Sequence, residues 1–350
     1  MADYEVVIIG GGQAGLAVGH YLREKQIPFI ILDSNSRAGD SWRKRYNSLV
    51  LFTPREYSSL PGLQIKGAPG EFPTKDELAD YLETYVKHFN LPFRHNTNVL
   101  KLHNLADGTF HLETNQGNIH AKQVVIATGA FQKAFIPDVI NKGADIFQVH
   151  SSEYRTPAEV PGDEILVAGG GNSGAQIATE LAKQKNVTIA VGHKFKFLPL
   201  KFLGRSIFSW LDMTGLLYAG KDTIKGKWFQ KQNDPIFGKE LKKLIKHKEI
   251  NVVPRVIQVR GKEVLFEDNT RREFSSIIWS TGFVPSYEWI SIEGVISENG
   301  KPIHERGITE INGLYFAGLP WQYQRGSSLI CGAGMDAEYL VRAIVSNVNS

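Results

Sequence analysis

Apolar positions along the chain fall into two kinds of run. Short unbroken runs rich in β-branched residues (Val6–Ile9, Phe29–Leu32, Val124–Ala127, Ile165–Ala168, Val187–Val191 and Ile277–Trp279) have the character of strands buried on both faces of a parallel sheet. Between them the spacing turns helical. Leu16, Ala17, Val18 and Leu22 follow the first run, and Ala175 to Lys183 follows the fourth. Leu78, Tyr81, Leu82, Tyr85, Val86 and Phe89 form an amphipathic stripe opened by Thr74, Asp76 and Glu77, and Met335 to Val345 closes the chain as a helix. Val99–Leu105, Thr109–Thr114 and Asn118–His120 alternate and turn through Asp107-Gly108 and Gln116-Gly117, which predicts a small antiparallel meander. Strand, helix and strand in succession make this an α/β chain.

The turns after two of the buried runs carry distinctive chemistry. Gly10, Gly11, Gly12, Gln13, Ala14 and Gly15 spell G-x-G-x-x-G between the first strand and the first helix. In that motif Gly10 makes the tight turn, Gly12 lets a pyrophosphate approach the backbone and Gly15 lets helix and strand pack closely, while the helix start offers free N–H groups. The next strand ends at Asp33, about 20 residues on, where a carboxylate grips a ribose hydroxyl. Gly169, Gly170, Gly171, Asn172, Ser173 and Gly174 repeat the motif after the fourth run. There the following strand runs into Gly192, His193, Lys194 and Lys196, with no acid. An acid suits the unphosphorylated ribose of FAD, whereas cations accept the 2′-phosphate of NADPH. No arginine stands at that strand end, so NADH is retained as an alternative donor. Two further strands share a small-residue ending, Ala127-Thr128-Gly129 and Ser280-Thr281-Gly282, which lets backbone come close to a ligand in the crevice.

With 350 residues and 42% hydrophobic content, there is material for two domains. The first strand begins by Glu5 and no apolar run nears the length of a membrane span, so a cytoplasmic location without a signal peptide is expected. The single cysteine, Cys331, excludes an internal disulfide, a redox dithiol and a thiolate metal cluster. It sits among apolar and small residues, as a buried inert thiol does. The formal net charge of +4 is too small to imply nucleic acid. The excess is local. Between Lys194 and Lys248 there are thirteen Lys or Arg against four acids, interleaved with aromatics such as Phe202, Trp210 and Trp228. The stretch reads first as the solvated outside of a helical insertion, with a membrane or nucleic-acid surface as the alternatives. His88, His95, His103, His111 and His120 lack the spacing of metal ligands, and no metal is expected.

The two G-x-G-x-x-G units, the Thr-Gly strand ends and the loop Ala38 to Pro54 (AGDSWRKRYNSLVLFTP) together resemble the class B flavin-dependent monooxygenases, specifically their short bacterial branch, some of whose members accompany cation-efflux systems. The likeness covers nearly the whole chain, including Leu51-Phe52-Thr53-Pro54, His150-Ser151-Ser152-Glu153-Tyr154 and Gly313 to Gly318. It implies a glutathione-reductase-like pair of Rossmann domains: a discontinuous FAD domain (1–155 and 286–350) and an NAD(P)H domain (156–285) with a basic helical insertion at 195–248. For the cofactors it implies contacts from Gly10, Gly12, Gln13, Ala14, Gly15, Asp33, Ser34, Ser41, Trp42, Arg43, Phe52, Thr53, Val99, Ala127, Thr128, Gly129, Gly318 and Leu319, and from Gly169, Gly171, Asn172, Ser173, Gly174, His193, Lys194, Ser280, Thr281 and Gly282. The family's reaction has NADPH reduce FAD, which then adds O₂ as a C4a-(hydro)peroxide and oxygenates a small organic substrate. The protein's part is positioning and exclusion of water.

Two departures from the family pattern stand out. In F-x-G-x-x-x-H-x-x-x-F/W, His150 and Tyr154 fit, whereas Ala144 and Ile146 replace Phe and Gly. Where many relatives carry an Asn that supports the flavin intermediate, this chain has Phe52, leaving Thr53 or Asn47 to substitute. Trp42 and Tyr46 are candidates to stack on a ring, Arg43, Lys44 and Arg45 to meet phosphates, and Trp321, Gln322, Tyr323 and Gln324 to wall the substrate pocket. No catalytic acid or base is assigned. The competing functions are a reductase that passes electrons to ferredoxin or another acceptor, and a non-catalytic FAD/NAD(P)H-binding accessory protein. A homodimer is the candidate assembly.

Overall fold

The structure, a computed structural model, describes residues 2–141, 145–232 and 234–348. The first nucleotide unit runs β1 (Tyr4–Ile9), α1 (Gln13–Glu24), β2 (Phe29–Leu32), the single turn α2 (Asp40–Arg43), α3 (Lys75–His88) and β3 (Phe93–Arg94), then β4 (Val99–Asn104), β5 (Phe110–Thr114) and β6 (Gly117–Ile126). The α3 start is the expected capping box: Thr74 Oγ1 accepts from Glu77 N at 3.2 Å and the Glu77 carboxylate accepts from Thr74 N at 2.8 Å. After β7 (Lys133–Ala134) and β8 (Phe147–His150) comes the second unit, β9 (Glu164–Ala168), α4 (Asn172–Leu181) and β10 (Asn186–Ala190). The basic segment holds β11 (Phe197–Leu198), β12 (Lys201–Phe202), β13 (Arg205–Ser206), α5 (Ile207–Met213), α6 (Ile224–Gln230), β14 (Ile236–Phe237) and α7 (Glu240–Lys246). It is therefore short helices braided with two-residue ribbons rather than a helical insertion. The chain finishes with β15 (Ile250–Val253), β16 (Val256–Arg260), β17 (Glu263–Phe266), β18 (Arg271–Glu273), β19 (Ser276–Trp279), β20 (Phe283–Val284), β21 (Leu314–Phe316) and α8 (Ile330–Val348).

Two sheets organise these elements. The first has the order β3-β2-β1-β6-β5-β4, with β21 also on β6; the second, β15-β10-β9-β19-β8, is parallel throughout. One strand departs from the sequence reading. The alternating Asn118–His120 and the continuous run from Val124, up to Ile126, belong to a single ten-residue strand, β6, whose start pairs antiparallel with β5 and whose end pairs parallel with β1 and β21. A strand that leaves a half-exposed meander for a fully buried sheet changes its hydrophobic period on the way. β8 was expected within the first nucleotide unit, yet it pairs with β19 at the edge of the second sheet. The chain crosses between the sheets on β7 and β20, which pair antiparallel with Phe283 opposite Ala134 and Val284 opposite Lys133.

Candidate functional site: two nucleotide cradles

The two glycine turns share one geometry. Gly10 has φ +106° and Gly169 φ +117°, a region only glycine enters freely. A side-chain carbon on Gly15 would lie 2.0 Å from Gly10 O, and one on Gly174 would lie 2.1 Å from Gly169 O. One on Gly12 or Gly171 would meet nothing within 4 Å. The outer glycines are thus required by packing, and the middle one opens onto free space. No side chain caps α1 or α4, so both helix starts present unshared N–H groups and positive dipole ends to that space. Each cradle fits a pyrophosphate for the same reason.

The rims of the cradles differ. Asp33 accepts from Gly11 N at 2.6 Å through one oxygen and from Asn35 N at 2.8 Å through the other. This fixes the carboxylate over the first turn, beside the exposed Ser34. Thr97 N donates to Asp33 O at 2.8 Å, which brings the segment leading to Val99 to the same rim. At the second rim His193 and Lys194 are exposed, and a third cation joins them. A side-chain carbon on Gly192 would lie 2.6 Å from Nη2 of Arg255 and 2.8 Å from its Nε, so the guanidinium covers this strand end. Arg255 comes from the turn after β15, far along the sequence, which is why the local pattern showed no arginine here.

The loop between α2 and Pro54 joins the cradles. Burial pushes the Asp40 carboxyl up, but hydrogen bonds from Ser36, Arg37 and Arg43 outweigh this and hold it below the usual carboxylate range. Arg43 departs from the expected phosphate contact. Its Nη1 donates to Ala38 O at 2.8 Å and Asp40 at 3.1 Å, and its Nη2 to Asp80 at 2.7 Å and Glu83 at 2.8 Å, so it clamps the loop to α3. Tyr46 is buried rather than free to stack; its hydroxyl donates to Gln176 Oε1 at 2.9 Å, and Gln176 Nε2 returns a bond to Val50 O at 3.0 Å. Trp42 lies half-buried against the core and Ser41 is exposed. Phe52 stacks on Phe237 with ring centres 4.6 Å apart, and on Phe208 at 6.1 Å. Thr53 is buried with its hydroxyl paired to Ser58 Oγ at 2.8 Å, so it does not supply the donor that Phe52 lacks. Asn172 anchors the insertion over the second cradle, donating to Pro235 O at 3.0 Å and accepting from Phe237 N at 2.9 Å.

The two Thr-Gly endings meet at the crossover. Gln132 Nε2 donates to Thr128 Oγ1 and Gly129 O, both at 2.9 Å, while its carbonyl accepts from Ser286 N at 2.6 Å. Thr281 donates to Phe135 O. Ser280 carries a buried hydroxyl with no partner. His150 is buried and donates from Nε2 to Gly282 O at 3.0 Å while Nδ1 pairs with Ser152 Oγ at 2.8 Å; burial pulls its pKa down, so the neutral ring is a structural strut. Tyr154, its fingerprint partner, is buried and bonds Glu180 at 2.8 Å; Ala144 lies outside the described residues. Arg45 stands over the crossover, its guanidinium carbon 5.2 Å from the Phe131 ring centre and 5.4 Å from that of Phe283, with no hydrogen-bond or ion-pair partner among the described residues.

Gly318, φ +79°, packs on the start of α1, where a side-chain carbon would lie 2.6 Å from Ala14, and Gln13 donates to Ser328 O at 3.4 Å. Leu319 is buried beside it. Of the four expected pocket-wall residues, Gln322 and Gln324 are fully buried and Tyr323 lies on Arg306, 3.8 Å from guanidinium carbon to ring centre. Trp321 and Tyr323 are both partly exposed, and of the two Trp321 is the one not covered by a guanidinium. Cys331 is half-buried, and desolvation pushes its thiol up to about 12, in keeping with an inert side chain. His103, His111 and His120 are less scattered than their spacing suggested, since they pair across β4, β5 and β6 with His111 Nδ1 3.0 Å from His120 Nε2. Among the described residues no group of three or more His, Cys, Asp or Glu is placed to hold a metal.

A paired cradle of this kind, with one cysteine in the chain, has relatives that share its whole length. Residues 7–197 match the family described as pyridine nucleotide-disulphide oxidoreductase. The chain belongs to that family. Within this oxidoreductase family it is 50% identical over 344 residues to a CzcO-like oxidoreductase of Geobacillus kaustophilus, covering 98% of this chain and 99% of the relative. It is 27% identical over 333 residues to a probable indole-3-pyruvate monooxygenase, YUCCA1, of Arabidopsis thaliana, covering 85% and 80%. The solved flavin-containing monooxygenase of Stenotrophomonas maltophilia superposes with a TM-score of 0.83 at 25% identity, covering 99% of this chain and all of that one. The family's name includes disulfide chemistry, but a lone thiol cannot form a redox pair within this chain.

Proposed function

We propose that this oxidoreductase is an FAD-dependent, NADPH-using monooxygenase that oxygenates a small soft nucleophile or ketone, by sulfoxidation, N-oxidation or a Baeyer–Villiger type reaction. The observation that carries the reading is the repeated cradle with two different rims. The acid-rimmed site, Gly10, Gly12, Gly15 and Asp33, suits FAD; the cation-rimmed site, Gly169, Gly171, Gly174, His193, Lys194 and Arg255, suits NADPH. Held in the first cradle, FAD would supply the redox chemistry, with NADPH in the second as the source of its electrons and O₂ as the source of the transferred oxygen atom. The chain's residues do the rest. Tyr46 and Gln176 tie the flavin-side loop to the nucleotide-side helix, and Phe52, Phe208 and Phe237 place an apolar, water-excluding stack between the two units. The overlap with flavin monooxygenases over the full chain supports the reading over the accessory-protein alternative.

The test is a turnover assay on the yellow holoprotein with NADPH, O₂ and a panel of thioethers, amines and cyclic ketones. The expected result is NADPH consumption matched by sulfoxide, N-oxide or lactone. Because Phe52 offers no hydrogen bond, part of the NADPH is expected to appear as hydrogen peroxide, and that fraction measures what the missing donor costs. Peroxide alone with every substrate, or rapid electron delivery to ferredoxin, would replace the monooxygenase with the reductase reading.

A further inference from the structure

We propose that the basic segment is a docking surface for an anionic phospholipid bilayer, with the tip of the β12–β13 hairpin and the outer face of α6 resting in the headgroup layer. Five large apolar side chains there are exposed: Ile224 (89%), Leu203 (76%), Met213 (62%), Trp228 (55%) and Phe202 (54%). The elements that carry them are tied together. Trp210 Nε1 donates to Phe202 O at 2.9 Å, Arg205 Nη1 lies 3.2 Å from Met213 Sδ, and Lys225 Nζ donates to Thr214 O at 2.7 Å, linking hairpin, α5 and α6 in turn. Ile224 and Trp228 are one helical turn apart on the same face of α6. Leu203 holds φ +47° at the hairpin tip, an uncommon conformation for a leucine, and packing within the fold does not repay it.

Around these side chains stand Lys201, Arg205, Lys225, Lys227 and Lys231, all exposed, and none forms an ion pair among the described residues. The same stretch has two acids, and one of them, Asp212, already accepts the Tyr57 hydroxyl at 2.9 Å. Exposed aliphatic and indole groups beside lysines that form no ion pair among the described residues match an anionic membrane interface. A second copy of the chain fits less well, because a two-fold contact would press like-charged faces together. A nucleic-acid backbone would use the cations and leave Ile224, Leu203 and Met213 with nothing to bury them. The surface also leads inward: Phe229, stacked beside Trp228, meets the Trp321 ring edge-on at 6.0 Å.

The test is flotation of the holoprotein with phosphatidylcholine vesicles and with vesicles containing about 30% phosphatidylglycerol, at low and high salt. Binding is expected only with phosphatidylglycerol, weakening with salt and by about fivefold for each cation removed in Lys227→Gln and Lys231→Gln. The Leu203→Glu/Ile224→Glu double variant, altered only at exposed sites, is expected to keep its flavin and its circular dichroism but lose flotation. Trp228 fluorescence should shift to the blue on anionic vesicles, with the shift gone in Trp228→Phe. No flotation with phosphatidylglycerol at low salt overturns the proposal, as does flotation undiminished in the double variant. A dimer in sedimentation that needs Leu203 and Ile224, with no vesicle binding, assigns the surface to a second copy instead. Binding of a duplex DNA probe that survives the double substitution, again without vesicle binding, assigns it to nucleic acid.

Discussion

Arg255→Ala isolates what sets the preference for a phosphorylated nucleotide. The guanidinium lies against Gly192 and beside His193 and Lys194, it is exposed, and no carboxylate pairs with it among the described residues. A 2′-phosphate at that strand end would accept charge-assisted hydrogen bonds from it, each intrinsically worth about 1.5–3 kcal/mol. Solvent screens a surface site, so the net loss is set nearer about 2 kcal/mol, or roughly 30-fold in affinity. NADH has no 2′-phosphate and should be bound as before. Anaerobic titration of flavin reduction against NADPH and NADH, in the parent protein, Arg255→Ala and Arg255→Lys, reads both affinities directly. The expected pattern is a roughly 30-fold weaker NADPH response, an unchanged NADH response, partial retention by lysine and a smaller difference at high salt. Thermal stability should hold, since an exposed substitution of this kind moves it by only about 0.5 kcal/mol. Equal losses for the two nucleotides, or no loss for NADPH, would refute the assignment of Arg255.

Three other substitutions and one change of pH bear on separate parts of the account. Gly12→Ala places a methyl in open space, so the protein should fold but release FAD on gel filtration, whereas Gly15→Ala meets Gly10 O at 2.0 Å and should cost about 1–3 kcal/mol or more in chemical denaturation. Retention of FAD by Gly12→Ala would show that the middle glycine is not the phosphate path. Burial lowers the pKa of His20, His150 and His304 below that of a free histidine, about 6.5, so the unfolded chain takes up protons first as pH falls; stability should be full above about 6.5 and drop below it, by up to about 1.4 kcal/mol per pH unit per histidine. Denaturant midpoints across that range check this, and a flat profile would contradict it. Arg45→Gln removes an unpaired cation from the crossover, so acidic substrates such as phenylacetic-acid thioethers should lose about tenfold in kcat/KM relative to their neutral esters; an unchanged ratio would leave Arg45 a packing residue.

What the sequence revealed, and what it concealed, follows from the range of the interactions. The glycine turns, Asp33, the Thr74 cap and the buried runs are local patterns, and each appears where periodicity and motif placed it. Arg255, Gln132 and Gln176 act across long separations between elements, so no local signal marked them. Arg43 and Tyr46 sit in a motif loop, and residue type alone could not tell a ligand contact from the clamp that holds the loop. Gln322 and Gln324 look like pocket residues by polarity, yet both side chains are fully buried inside the fold. β6 was read as two pieces because its environment changes midway. The basic segment stayed ambiguous because the exposure of Ile224 and Leu203 depends on tertiary placement.

The most direct measurement is rapid anaerobic mixing of the purified FAD-loaded protein with NADPH. Two cradles joined by the loop that carries Tyr46 predict that the yellow flavin colour bleaches in a saturable, first-order step, and that readmitting O₂ restores it. A protein that takes up no FAD, or whose bound flavin keeps its colour at saturating NADPH and NADH, would contradict the claim that these two sites exchange electrons.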